Sequence, residues 1–111
     1  MVEFPITQMP GVKFPVYATV MFTAGLPAFD VQFACVRQAR FLTYVFHSFD
    51  LFGEDDPGFT PVLRRYLALR FPLAKRLEMV DRAIGAIARR FVTVTYRQVV
   101  TTPALRDAIF R

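Results

Sequence analysis

His47 is the single histidine of the chain and directly follows an apolar and aromatic run at residues 41–46. An imidazole at the C-terminal end of a buried strand stands where α/β and barrel folds place ligands and catalytic groups. Its protonation near neutral pH suits a general acid or base. The same position also suits a half-buried ring bonded to a loop carbonyl, and both readings stay open at this point. Asp50, three residues on, is placed to orient His47 or, more commonly, to accept from loop N–H groups. Ser48 adjoins His47 but lacks the Gly-x-Ser-x-Gly elbow that presents a nucleophilic serine. Cys35 falls on an apolar helical face, where a thiol packs rather than reacts.

Metal chemistry finds little support in the residue types. One Cys and one His are too few for a four-ligand zinc site of the usual kind, and Cys35 has no partner for an internal disulfide. Glu54, Asp55 and Asp56 are consecutive, whereas calcium loops space their oxygen ligands; such a cluster reads as a solvated turn. Arg64, Arg65, Arg70, Lys75 and Arg76 gather positive charge near two aromatics, Tyr66 and Phe71. With a net charge of +5, this raises phosphate or acidic-polymer binding. There is no glycine-rich phosphate loop and no RNP1-like pattern, so a solvated basic face is the preferred reading and nucleic acid is not expected as a partner.

The elements that would position these residues follow from periodicity. Residues 2–7 read as a short strand closed by a Met9-Pro10-Gly11 turn, and 14–22 as a second extended segment, confined by Pro15 to an edge or a start. Residues 28–40 carry Phe29, Phe33 and Val36 at helical spacing, and 41–46 read as a strand buried on both faces. A polar turn follows over 53–58. Pro72 suits the first position of a long helix whose stripe is Leu73, Leu77, Val80, Ile84, Ile87 and Phe91. Val92 and Val94 alternate with Thr93 and Thr95 in a strand over 91–96, and the tail from 97 to 111 reads as a short helix interrupted at Pro103. This order predicts an α/β fold with mainly parallel strands, too few to close a barrel.

The chain has 111 residues, 54% of them hydrophobic and 21% charged. That suits one globular domain over residues 1–111 and excludes disorder for most of it. The longest uncharged run, residues 14–29, is broken by Pro15, Gly25 and Pro27 and is too short to span a bilayer. Val2, Glu3, Phe4 and Pro5 lack the basic and apolar regions of a secretion signal, which leaves localisation unknown.

A family resemblance rests on three segments in order: Val2-Glu3-Phe4-Pro5-Ile6-Thr7, then Pro10-Gly11-Val12-Lys13-Phe14-Pro15, then Tyr44-Val45-Phe46-His47-Ser48-Phe49-Asp50-Leu51. With the long helix and its Phe91-Val92-Thr93-Val94-Thr95 exit, they resemble the later part of polysaccharide deacetylases over nearly the whole chain. That family implies a distorted (β/α)7 barrel in which a metal, usually zinc, and a catalytic Asp activate water to remove N- or O-acetyl groups from sugars. A late-strand His assists, and His47 matches it, with Tyr44 where the family has Leu. Its role would be to protonate the leaving group or stabilise the tetrahedral intermediate.

The family's Asp-Asp pair, its His-Ser/Thr-x-x-x-His metal motif, its Arg-x-Pro-Tyr segment and its Asp-Trp motif have no counterpart here. The resemblance therefore implies an incomplete (β/α) barrel, the C-terminal fragment of a carbohydrate deacetylase. It would act on C–N bonds other than peptide bonds but be inactive alone, with no cofactor of its own and carbohydrate as substrate only if an N-terminal segment completed it. The alternative is a noncatalytic α/β module that binds another protein, or itself, through an exposed sheet edge.

Overall fold

The computed structural model describes residues 4–110. In chain order the elements are α1 (Ala18–Ala24), α2 (Leu26–Val36), 3-10 turns at Ser48–Leu51, Leu63–Arg65 and Leu67–Leu69, α3 (Leu73–Arg90), α4 (Tyr96–Thr101) and α5 (Pro103–Phe110). Extended pairing among the described residues is limited to two isolated bridges, Gln8 with Pro15 and Tyr17 with Val45. The α/β expectation, and with it the incomplete (β/α) barrel, is overturned: the described residues are mostly helical and form no sheet.

The reason lies in what the strand-like segments have to pair with. Residues 14–22 carry β-branched Thr19 and Val20, yet Ala18, Met21 and Phe22 fall at i, i+3 and i+4, and all three are buried in α1. Burying that face outweighs the weak local preference for an extended chain. Once α1 forms, residues 41–46 have no neighbouring strands and run as an irregular segment, tied to the start of α1 by Ala18 N–H donating to Val45 O at 2.9 Å. The alternating residues 91–95 are likewise unpaired, and Val92 is 90% exposed. Of the expected first strand, residues 2 and 3 lie outside the described residues. The rest enters a tight turn in which Met9 N–H donates to Phe14 O (2.8 Å) and Val16 N–H to Thr7 O (2.7 Å).

The helical expectations hold with shifted ends. The helix expected over 28–40 is α2, begun earlier at Leu26 with Pro27 in its first turn and ended at Val36. Gly25, at φ 90°, is both the last cap of α1 and the first cap of α2, and turns the chain where an L side chain would be strained. The tail divides at Thr102 into α4 and α5.

The core joins Ala18, Met21, Phe22, Phe29, Ala68, Met79 and Ala83. The buried residues of α3 are Arg76, Met79 and Ala83. That face is turned roughly 80° from the stripe expected from the sequence, at about 100° per residue. Val80 and Ile87 lie on both and are partly buried, while Leu77 and Ile84 are left 48% and 51% exposed.

Candidate functional site

His47 sits at the entry to the 3-10 turn Ser48–Leu51. Its ring is stacked on Phe49 with centroids 5.1 Å apart, and its side chain is 44% exposed. Nδ1 lies 3.3 Å from Thr19 Oγ1 and 3.5 Å from Asp50 Oδ2. The second distance is too long for a strong hydrogen bond. Asp50 Oδ2 instead accepts the His47 backbone N–H at 2.8 Å, the loop-bonding role weighed for it above. A nucleophile–base–orienter relay needs the hydroxyl and the carboxylate on opposite ring nitrogens. Here Thr19 and Asp50 crowd the same one.

Beneath the turn, the buried Arg76 is bonded to three backbone carbonyls. Nε donates to Phe71 O (2.9 Å), Nη2 to Phe52 O (2.5 Å) and Nη1 to Asp50 O. Burial lowers the guanidinium pKa, and the Asp50 charge acts against that lowering. Asp50 Oδ1 and Tyr44 Oη are buried without a hydrogen-bond partner among the described residues. Burial, and after it the Asp50 charge, pushes the Tyr44 phenol well above its ordinary value. Arg76, counted in the sequence among surface cations, is thus a structural anchor. It shares the buried row of the long helix with Met79 and Ala83, at spacings of three and four.

The other candidates do not converge on His47. Asp56 Oδ2 accepts Gly53 N–H at 2.6 Å within its own turn, while Glu54 and Asp55 are exposed. Lys75 pairs with Glu78 at 2.9 Å, Arg64, Arg65 and Arg70 are exposed, and Arg70 lies over the Phe71 ring. Cys35, expected to pack, is exposed on α2. Zinc, which the deacetylase resemblance carries with it, does not fit these residues: one ring and one carboxylate already bonded to backbone fall short of three protein ligands. Among the described residues no group of three or more His, Cys, Asp or Glu could hold a metal ion. No helix of the described residues is long and apolar enough to cross a membrane.

A more open concavity lies elsewhere. A groove of about 780 Å³ runs between residues 38–46, the C-terminal half of α3 with residues 91–94, and helices α4 and α5. His47, Ser48 and Asp50 are not on it. Ile84, Ile87, Ala88 and Phe91 line it, so the C-terminal half of the α3 stripe faces the groove, while the exposed Leu77 lies off it. It is a trough rather than an enclosed cavity, since Ile84, Val92 and Tyr96 remain 51%, 90% and 56% exposed. Arg40 and Arg90 are its charged residues, and no carboxylate lines it among the described residues. The α4 wall is fixed by a capping box: Thr95 Oγ1 accepts Gln98 N–H (3.1 Å) and Gln98 Oε1 accepts Thr95 N–H (2.7 Å).

No protein-family model matches the chain, and no curated protein or solved structure is significantly similar to it.

Proposed function

We propose that the protein is a noncatalytic interaction module that receives a partner protein in the groove between residues 38–46 and helices α3 to α5. The observation that carries this reading is the split of the α3 stripe. The helix has more apolar surface than its own core uses, and the surplus at Ile84 and Ala88, beside the partly buried Ile87, lines a concave surface. Contiguous apolar surface of this kind on a small protein marks interaction sites. Among the described residues there is no sheet edge of the kind first expected to serve this role, and the proposed docking surface is instead built largely on helices.

A photo-crosslinking residue at Val92, on the groove rim, and another at Val62, equally solvent-facing but away from the groove, test it. A discrete protein adduct from position 92 that is absent from position 62 and disappears with Ile84→Asp is the expected result. Equal labelling at both positions, or none at 92, overturns the reading. Carbohydrate deacetylation stands as a proposal from the residue pattern alone, with His47 as its acid or stabilising group. It requires a metal and a base from another segment, and zinc-dependent turnover of acetylated sugar oligomers only when such a segment is supplied would favour it over docking.

A further inference from the structure

Resting on the interaction reading above, we propose that the groove's occupant is an amphipathic helix of a different protein, apolar along one edge and flanked by carboxylates. Three observations select it. The first is shape. Ile84, Ile87, Ala88 and Phe91 form a helical ridge with an open trough beside it, the surface that a second helix matches by seating its own ridge. A helix keeps its polar side in water, whereas a lone acyl chain in so open a trough would leave much of its length wet.

The second is area. The chain exposes 7726 Å², while a folded monomer of 12.7 kDa is expected to expose about 6,200 Å². The surplus, roughly 1,500 Å², belongs to the open surface of the whole molecule, of which the groove is one part, and it marks a chain that leaves surface for a partner to cover. The third is charge. Arg40 and Arg90 stand on the groove without a lining carboxylate, on a chain of net charge +5. A second copy docked symmetrically would set these arginines against their own kind, and like charges across an interface oppose association. Carboxylates flanking an apolar edge would instead meet Arg40 and Arg90.

The test titrates the full chain into two fluorescent peptides of about 18 residues, five helical turns, and reads anisotropy. Both carry leucine at helical spacing; one has glutamate and the other lysine at the remaining positions. Binding of the glutamate peptide, with the lysine peptide at least about fivefold weaker, is expected from two rim ion pairs. The preference should shrink as salt is raised and be lost in Arg40→Gln/Arg90→Gln, two exposed positions whose change leaves the core intact. Equal binding of both peptides overturns the acidic partner and leaves the interaction reading standing. So does failure of both peptides with a chain that sediments as a dimer, which would make a second copy the occupant. Failure of both peptides with a monomeric chain overturns the two proposals together, as does Ile84-dependent binding of dodecanoate with no peptide binding.

Discussion

Arg76 is the residue on which the turn beneath His47 depends. Its buried guanidinium holds the carbonyls of Asp50, Phe52 and Phe71. Arg76→Met should therefore cost about 3 kcal/mol, the scale of breaking a buried charged network. Arg82→Met removes a half-exposed pair with Asp30 at 3.0 Å and should cost under about 1 kcal/mol. Chemical denaturation of the two variants checks this, and equal losses would contradict the anchoring role. Tyr44 gives the reverse expectation. Its buried hydroxyl has no hydrogen-bond partner among the described residues, while its ring packs edge-on against Phe29 and Phe46. Tyr44→Phe should thus keep or raise stability at neutral pH, by up to about 1 kcal/mol. Because the folded phenol's pKa lies above its unfolded value, the wild-type contribution is fully present below pH of about 10 and is lost as pH rises toward the folded value. The variant should lose less stability than wild type in that alkaline range. A wild-type and variant pair that fall together there would show the phenol is not buried as described.

At the scale of elements, α4 has only six residues, too few to hold a helix without its ends and its packing. Thr95→Ala removes the cap and should cost about 1 kcal/mol, seen as a lower thermal midpoint together with weaker occupancy of the groove that α4 walls. An unchanged midpoint would mean that packing at Val99 alone holds the helix. The Thr-x-x-Gln spacing of this cap was visible in the chain but lay under a strand-like Val/Thr alternation. The same conflict explains the larger departure in α1, where β-branched residues suggested extension and the buried triplet Ala18, Met21, Phe22 imposed a helix. Strand pairing depends on partners distant in sequence, so residues 41–46 read as a buried strand only while residues 14–22 and 91–96 are assumed to flank them. The long helix from Pro72 was legible because its period repeats over five turns and depends on nothing else. Which face of it meets the core was not. Arg76 buries its stem and finds three carbonyls, a nonlocal arrangement that no periodicity reports, and this turns Ile84 outward.

For the whole molecule, the radius of gyration is 15.6 Å, against about 13 Å for a compact domain of this length, and the axes extend over 45 × 28 × 24 Å. Such an open form keeps the core small and leaves the groove between α3 and the C-terminal helices unfilled. The chain's stability should accordingly rise when the groove is occupied, since a ligand that binds the folded form alone adds RT ln(1 + [L]/Kd). The most direct test is a methyl NMR titration of Ile-, Leu- and Val-labelled chain with the leucine/glutamate peptide. Saturable shifts at Ile84, Ile87, Val92, Leu105 and Ile109, with Val16 and Val62 unmoved, are what docking in the groove requires. Shifts centred on the His47 turn, or none anywhere at concentrations that saturate the peptide, would contradict it.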